Sequence, residues 1–370
     1  MHTKGGRARG FLYKLPMPKA VDKTRWRPVP AFGILYAIVT LTNFYIFDRI
    51  TGLLGWGDVR ISVIYAFTLS TLLLVGFLAR TSSGRGTRGL FVTVTTAYGL
   101  EFATISGLII FEIANLFLSL NPRNCGIALL LYTAVLAAIS IVNAQLLGVK
   151  NIKLPFVKKL RIVQLSDVHI GAVHGRRYLK RVIDTVNTLK PDLVLITGDI
   201  LSGAVPPGSS KLEHFGRLES RTFLAPGNHE FYEGMEEVRA ALPKNVEMLR
   251  DEEVSMNGYS IFGLDYIREQ GMSGTRKIDR KFHNPVIALA HVPQFLDLPD
   301  GSIILSGHYH AGQIFPINFI GRLFVKYFKG IYRNGGITLY VSPGTATWGP
   351  AMRFGSRNEI TVLDLVPEMR

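Results

Sequence analysis

The chain has 370 residues, of which 48% are hydrophobic, and a net charge of +15 at pH 7. Its length favours two domains, and its single cysteine, Cys125, excludes an intrachain disulfide. The positive charge alone is compatible with nucleic acid, a membrane surface or an acidic substrate as partner, so its distribution along the chain must discriminate among them.

The N-terminal segment, residues 1–29, carries eight basic residues against one acidic residue, Asp22, and an apolar stretch follows it directly. A basic segment beside an apolar one is typical of a chain that meets anionic lipid headgroups. We therefore expect residues 1–29 to be a cytoplasmic segment at an anionic membrane surface. Nucleic acid is disfavoured as a partner.

Residues 30–149 contain four long stretches with few or no charges. The intervals without charge run between Arg27 and Asp48, Arg60 and Arg80, and Arg123 and Lys150, and the remaining stretch contains only Glu101 and Glu112. Each stretch has about the length that crosses a hydrocarbon core as a helix. The sequence therefore predicts a membrane domain of four transmembrane helices over residues 30–149.

Basic residues cluster before the first of these stretches, after the second and after the fourth. By the positive-inside rule, both termini and the domain beyond residue 150 lie in the cytoplasm. Glu101 and Glu112 are about three helical turns apart, which places both on one side of a helix. An intramembrane carboxylate marks a functional site by default. In the alternative interpretation, one carboxylate lies at the interface and the other is hydrogen-bonded within the bundle.

The second half of the chain contains five short apolar runs, each of which ends in polar residues. The five polar blocks are Asp167-Val-His169, Gly198-Asp199, Gly227-Asn228-His229-Glu230, Ala290-His291 and Gly307-His308-Tyr309-His310. The β-rich runs before them predict strands, and residues 176–190 between them predict a helix. Side chains that follow such strands gather at the carboxyl edge of a sheet. Any one block is common in ordinary turns and caps, but all five in this order predict a site for two divalent metal ions.

At these motifs the chain resembles the calcineurin-like metallophosphoesterase family, in particular its membrane-attached bacterial branch and the transmembrane proteins with a metallophosphoesterase domain. The resemblance covers roughly residues 158–370 and includes Ser342–Thr345 and Arg353–Gly355. It implies an α-helical transmembrane bundle followed by an α/β domain over residues 150–370. That domain would be a four-layer αββα sandwich with metals at one edge of its two sheets, in a protein of the bacterial inner membrane.

The resemblance also implies a role for each polar residue. Asp167, His169 and His310 would hold one ion, Asn228, His291 and His308 would hold the other, and Asp199 would bridge them. His229 resembles the family's histidine that contacts phosphate and protonates the leaving oxygen. We expect two manganese ions, with iron and zinc as alternatives, because these nitrogen and oxygen donors suit all three metals.

Two positions depart from the family pattern. Many relatives carry a second aspartate three residues after the bridging one, where this chain has Ser202. In those relatives that aspartate orients the catalytic histidine, so here Glu230 or another carboxylate would have to do so. Tyr309 stands where the branch commonly has threonine, and its bulk would narrow the site without affecting the ligands.

A basic amphipathic stretch follows the last histidine motif, from Phe319 to Arg333. If the stretch is helical, Arg322, Lys326, Lys329 and Arg333 share one face and aromatic and aliphatic side chains lie mostly opposite. Such a helix lies in a membrane interface. In the alternative interpretation, the aromatic residues pack on the domain and Gly321 and Gly330 turn the stretch into loop.

The function we expect is hydrolysis of a phosphoester or pyrophosphate bond in a lipid-linked substrate by a membrane-bound enzyme. UDP-2,3-diacylglucosamine is the most specific candidate that the resemblance offers. The alternatives are a phosphatase or phosphodiesterase for soluble nucleotides or phosphoproteins, and a metal-stabilised scaffold without activity. A scaffold would be favoured by lost ligands, and the motifs retain every expected ligand.

Overall fold

The computed structural model describes residues 29–78, 85–202, 212–267 and 277–367. The basic segment predicted over residues 1–29 lies almost entirely outside the described residues. Its contact with anionic lipid therefore stays a prediction.

Four helices open the described chain: α1 (Val29–Leu54), α2 (Val59–Leu78), α3 (Arg85–Asn115) and α4 (Pro122–Gln145). Within the described residues, three helices, α2, α3 and α4, are long and apolar enough to cross a membrane. Helix α1 has 26 residues, which exceeds the length of a span, and its crossing stays a prediction. Small residues let the helices approach closely, since a Cβ at Gly107 of α3 would lie 2.6 Å from Leu129 Cδ1 of α4.

The two carboxylates of α3 have different surroundings. Glu112 forms a bidentate ion pair with Arg49 of α1, with one contact of 3.1 Å. Glu101 lies near Asn43 of α1, whose side-chain amide donates to Ser70 of α2. Both carboxylates thus contribute to polar contacts between helices.

The rest of the chain forms two six-stranded sheets. The first has the order β1-β12-β2-β3-β4-β5 and the second the order β10-β11-β9-β8-β7-β6. The strands of the first sheet are β1 (Leu147–Pro155), β2 (Leu160–Leu165), β3 (Leu193–Thr197), β4 (Arg221–Ala225), β5 (Val246–Met248) and β12 (Asn358–Val366). Those of the second are β6 (Glu252–Ser255), β7 (Ser260–Gly263), β8 (Val286–Leu289), β9 (Ile303–Ser306), β10 (Gly330–Asn334) and β11 (Ile337–Val341). Strands β2 to β5 are parallel to one another, as are β7, β8, β9 and β11.

Successive side chains of a strand point to opposite faces of its sheet. In β3, Leu193 and Leu195 enter the core between the two sheets, and Val194 and Ile196 pack against α5 (Arg176–Thr188) on the outer face. The second sheet has its own outer core, built with residues such as Phe282 and Leu296 from segments between strands. The expected fold class, a helical bundle followed by a layered α/β domain, is confirmed.

The α/β domain packs directly on the helical bundle through the segment after β11. A Cβ at Gly99 of α3 would lie 2.3 Å from Met352 Sδ, so only glycine admits this contact without a shift. Met352 also meets Ala137 of α4 and Ile314. The backbone N–H of Arg353 donates to the carbonyl of Ser140 in α4 at 2.7 Å. The α/β domain is therefore joined to the bundle by side-chain packing and by backbone hydrogen bonding.

The basic stretch from Phe319 to Arg333 is not one helix. Helix α8 (Ile317–Phe324) ends before Lys326 and Lys329, and Arg333 lies in β10. The hydroxyl of Tyr332 accepts the N–H of Phe328 at 3.0 Å, and Gly330 has a φ of 96°, which together favour a turn. The prediction of a continuous helix is wrong beyond Phe324. Phe328 is buried, as the alternative interpretation expected, whereas most apolar residues of α8 are exposed.

Candidate metal centre

The carboxyl ends of five strands from both sheets meet at one edge of the domain. Strands β2, β3 and β4 deliver the first three predicted blocks, and β8 and β9 deliver the two histidine blocks. Five of the predicted ligands have a positive φ, between 46° and 77°: Asp167, His169, Asp199, His308 and His310. Such backbone conformations cost free energy in residues other than glycine and concentrate at functional sites. These backbone conformations bring the five side chains into one small volume.

Glycines make this convergence of loops possible. A Cβ at Gly227 would lie 2.3 Å from Asp199 Oδ1, and a Cβ at Gly307 would lie 2.3 Å from Asp167 Oδ2. Both distances are shorter than any real contact of a Cβ atom. The glycines in the third and fifth blocks of the motif pattern therefore allow backbone to pass beside a ligand carboxylate.

One group of donors consists of Asp167, His169 and His310, whose ligand atoms lie within 4.8 Å of one another. The Nε2 atoms of His169 and His310 are 3.0 Å apart. His310 Nε2 lies 3.5 Å from Asp167 Oδ1. This is the set that the family resemblance assigns to the first ion.

A second group consists of Asp199, His291 and His308, again within 4.8 Å. Asn228 belongs with it, because its Oδ1 lies 3.1 Å from His291 Nε2. Asp199 lies between the groups, since its Oδ2 is 3.2 Å from His291 Nε2 and 3.8 Å from His169 Nε2. The seven predicted ligands thus lie together, with Asp199 in the position expected of a bridge.

Backbone carbonyls orient three of the imidazoles. The Nδ1 atoms of His169, His291 and His310 lie 3.3, 2.8 and 3.2 Å from the carbonyl oxygens of Leu201, Thr197 and Ala346, respectively. Nδ1–H donation to a carbonyl leaves Nε2 as the lone-pair atom directed into the site, the arrangement usual for metal-binding histidines. Burial lowers the pKa of both His169 and His310 well below the usual value, which favours the neutral form that binds metal.

The pKa values of Asp167 and His291 are shifted in the opposite direction, upward. Burial raises the pKa of Asp167 to about 6. Burial alone would lower the pKa of His291, but Asp199 and Asp167 outweigh it and raise the value to about 10. Asp199 is also buried, yet His291 and His229 hold its pKa well below the usual range. Paired donor atoms about 3 Å apart, aligned imidazoles and two buried carboxylates fit divalent cations.

His229 lies at the entrance of the centre, where it forms a third group of potential donors with His169 and Asp199, again within 4.8 Å. Its ring meets the edge of His169 at 4.8 Å, and its Nε2 is 4.0 Å from Asp199 Oδ2. Its ring also lies 6.4 Å from Trp348 and 5.8 Å from Tyr232. This position suits a group that meets the substrate. Tyr309, the second departure from the family pattern, packs against the His308 ring at 4.9 Å.

Glu230 has a role that the motif pattern did not predict. Its buried carboxylate accepts the backbone N–H groups of Asp199, Ile200 and Gly227 at 2.7 to 2.8 Å. In the described part of the chain Glu230 has backbone N–H partners and no hydrogen bond to His229, so the hypothesis that it orients His229 in place of the missing aspartate is wrong. Glu230 instead ties the loop of Asp199 to the loop of Asn228. Its place three residues after the helix N-cap Gly227 was the available sequence signal.

Arg353 is a second supporting residue that is fully buried. Its guanidinium donates to the carbonyls of Pro343 and Ala346 at 2.9 and 3.0 Å. Ala346 O also lies beside His310 Nδ1. Arg353 therefore stabilises the loop that orients one ligand, and its own N–H joins that loop to α4.

Two sheets that direct carboxylate, imidazole and carboxamide donors to a shared edge form a site of the kind that holds two divalent metal ions. The chain belongs to the calcineurin-like phosphoesterase family, whose pattern matches residues 160–312. The resemblance expected from the motifs is thereby confirmed.

Several relatives support this assignment. An uncharacterised metallophosphoesterase of Bacillus subtilis, YkuE, is 32% identical over 238 residues, which are 55% of this chain and 78% of that protein. An uncharacterised metallophosphoesterase of Helicobacter pylori is 35% identical over 225 residues, 57% of this chain and 61% of that protein. A Danio rerio transmembrane protein with a metallophosphoesterase domain is 35% identical over 271 residues, 63% of this chain and 60% of that protein. The chain thus spans about three fifths of the last two relatives.

We expect His229→Ala to lower turnover about 100- to 10,000-fold, the range associated with loss of a general acid. Bound metal should remain, because each ion keeps all the ligands that the family resemblance assigns to it. Metal content measured beside kcat on the same preparation checks this. Loss of metal together with activity would instead make His229 a ligand.

The pKa values predict proton release when metal binds. Without metal, His291 holds a proton at pH 7 because its pKa is about 10, and Asp167 takes up another as the pH falls through about 6. Metal binds the deprotonated donors, so the affinity for metal should rise with pH. The logarithm of that affinity should rise by about one unit per pH unit near pH 7, for one released proton, and more steeply below pH 6. Calorimetric titration of Mn²⁺ in buffers of different ionisation enthalpy measures the released protons. Equal apparent enthalpies in all buffers would contradict the expected release.

Proposed function

We propose that this chain is a membrane-bound dinuclear-metal phosphohydrolase that cleaves a phosphoester or pyrophosphate bond in a lipid-linked substrate. One observation carries the proposal: the segment from Thr345 to Arg353 runs from the metal centre to the helical bundle. At its start, the N–H of Ala346 donates to the carbonyl of Asp167 at 3.1 Å. At its end, Met352 packs against Gly99 and Ala137 of the bundle.

The entrance of the site lies on this same segment. Trp348 is 52% exposed and Tyr232 is 65% exposed, and both rings approach His229. Gln313 donates to the carbonyls of Trp348 and Pro350 at 3.0 and 3.1 Å, which fixes the segment between the entrance and the bundle. Trp348, at the entrance beside His229, therefore lies four residues before Met352, which packs on the bundle.

Helix geometry relates this contact to the bilayer. Gly99 lies 16 residues before the end of α3, and Ala137 lies 15 residues after the start of α4. At 1.5 Å per residue, both are about 23 Å from the loop that joins these helices. A hydrocarbon core is about 30 Å thick. If that loop lies at the far surface, Met352 meets the bundle near the bilayer boundary on the side of the metal domain.

Each part of the site has a role in this reaction. Asp167, His169 and His310 would hold one ion and Asn228, His291 and His308 the other, with Asp199 between them; manganese is our first candidate, with iron and zinc as alternatives. The bound ions would supply charge neutralisation for the phosphate oxygens and activation of water. His229 would donate a proton to the leaving oxygen. Glu230 and Arg353 would keep the ligand loops in place.

UDP-2,3-diacylglucosamine is the substrate we propose first. It has a pyrophosphate for the metal centre, acyl chains that stay in the bilayer and a base that can stack on an exposed aromatic side chain such as Trp348. Water would add at one phosphorus, and UMP and a lipid sugar phosphate would be released.

Hydrolysis by the purified full-length protein tests the proposal. The panel would contain UDP-2,3-diacylglucosamine, phospholipids, nucleotides and phosphopeptides, each with and without Mn²⁺. We expect metal-dependent turnover with a preference for a lipid-linked substrate. Faster turnover of soluble nucleotides or phosphopeptides would favour the alternative hydrolase, and metal binding without turnover of any substrate would favour a scaffold.

We further propose that the metal domain faces the cytoplasm from a bacterial inner membrane. The clusters of basic residues on one side of the predicted spans support this orientation. Reporter fusions after Arg85 and Arg370 should report cytoplasm, and a fusion after Asp58 should report the opposite face. A reporter after Arg370 that is active only outside would overturn the orientation.

A further inference from the structure

Helix α8 presents an apolar face that is largely exposed in the described part of the chain. Phe319 and Leu323 are four residues apart, as are Ile320 and Phe324, so the four side chains share one side of the helix. Leu323 is 82% exposed and Phe324 is 81% exposed. The helix is held to the domain from its other side, where the buried Asn318 donates to the carbonyl of Phe354 at 3.2 Å. An amphipathic helix of a soluble domain would bury its apolar face instead.

A cationic cavity lies beside this face. Its volume is about 300 Å³, and it is lined by Arg322, Val325, Lys326, Phe328, Lys329 and Tyr332. Among the described residues, no carboxylate lies in its lining, and none forms an ion pair with its three cations. Partial burial and the neighbouring Arg322 lower the pKa of Lys329, and they outweigh the opposite effect of Glu359. A bound anion would relieve this repulsion.

The position of α8 indicates where such an anion comes from. The helix begins three residues after Ile314, which packs with Met352 against Ala137 of α4. The apolar face and the cationic cavity therefore follow directly on the contact between the α/β domain and the bundle. Exposed aliphatic and aromatic side chains next to basic ones match the acyl region and phosphate of a membrane surface.

We propose that α8 is an interfacial helix whose apolar face enters the leaflet on the side of the metal domain. The cavity formed by Arg322, Lys326 and Lys329 binds the phosphate of an anionic phospholipid in that leaflet. This lipid is a second ligand, distinct from the substrate, because the metal centre has its own set of residues. The site would hold the α/β domain against the bilayer at a point away from the transmembrane helices.

The depth of α8 is the first test, with full-length protein in nanodiscs that contain phosphatidylglycerol. A nitroxide label at Phe324→Cys, in a Cys125→Ser background, should be more accessible to oxygen than to a water-soluble nickel chelate. A label at Lys244→Cys, an exposed position before β5, should show the reverse. If the two positions are equally accessible to the chelate, α8 lies in water and the proposal fails.

The identity of the anion is the second test. Arg322, Lys326 and Lys329 are changed together to glutamine, and Lys159, Lys190 and Lys244 together form the matched control. The control lysines are exposed and precede β2, β3 and β5, at the sheet edge opposite the metal centre. Each basic residue near an anionic surface contributes favourable binding free energy. Removing all three should therefore lower the affinity for phosphatidylglycerol about 100-fold. The control should bind as the wild type does.

Two further measurements complete the test. Wild-type protein should bind phosphatidylglycerol in preference to phosphatidylcholine, and inorganic phosphate should compete only weakly. Equal binding of inorganic phosphate and phosphatidylglycerol would overturn the assignment to lipid. Hydrolysis of a small soluble phosphodiester should be unchanged in both triple variants, which would show that fold and metal centre are intact. If the control variant loses lipid binding as well, the loss reflects the change in net charge rather than this site, and the proposal is overturned.

Discussion

An Asp199→Asn variant is expected to lose turnover by about 1,000-fold or more. Asp199 is the carboxylate between the two ligand groups, with Oδ2 close to both His291 and His169 and Oδ1 accepting the N–H of His229 at 2.9 Å. The asparagine side chain has no negative charge, and its NH₂ group would replace a carboxylate oxygen that now faces nitrogen atoms. Because metal ions contribute several kcal/mol of transition-state stabilisation, disturbing both at once should cost at least three factors of ten.

Metal content and kcat should be measured on the same preparation of this variant. Asp184→Asn, on the solvent-facing side of α5, makes the same chemical change outside the centre and should behave as the wild type does. Wild-type activity in Asp199→Asn would exclude the bridging role. It would also remove the basis for the dinuclear mechanism.

Glu230→Gln is expected to lower both the stability of the protein and its affinity for metal. The carboxylate accepts two N–H groups on Oε2 and one at 2.8 Å on Oε1. In glutamine one of these positions becomes a donor that faces another donor. Losing charge-assisted hydrogen bonds and leaving buried N–H groups unsatisfied should lower the free energy of unfolding by about 3 kcal/mol. Misplacement of Asp199 and Asn228 should weaken metal binding about 10- to 100-fold.

Thermal unfolding with and without Mn²⁺, together with a metal titration, measures both effects. Glu237→Gln, at an exposed position in the first turn of α7 (Met235–Ala241), is the matched control. An unchanged melting temperature and unchanged metal affinity for Glu230→Gln would show that the two loops hold their positions without this carboxylate.

The strands and the polar residues that follow them could be predicted from local sequence. The run before Asp199 became β3 and the run before Asn228 became β4, because apolar β-rich residues bounded by glycine are a short-range signal. The order of motifs then indicated a shared edge for the ligands. Their distances also depend on the left-handed backbone of residues such as Asp167 and His308, which a residue type alone does not indicate.

Other features depend on contacts between distant segments. The division of the five strands between two sheets follows from the pairing of β2, β3 and β4 on one side and β8 with β9 on the other. Glu230 serves the loop of Asp199 thirty residues away, which its position in the motif did not reveal. The helical spacing of basic residues after Phe324 was misleading, because Tyr332 and Gly330 favour a turn and a strand there.

The contact of Met352 and Arg353 with α3 and α4 affects any attempt to work with the catalytic half alone. A soluble fragment that begins at Leu147 would leave Ile314 and Met352 without their partner Ala137, and the N–H of Arg353 without its acceptor. The loop that orients His310 and carries Trp348 would then lose its support from the bundle. Substrate preferences measured on such a fragment would therefore describe a loosened entrance rather than that of the intact enzyme.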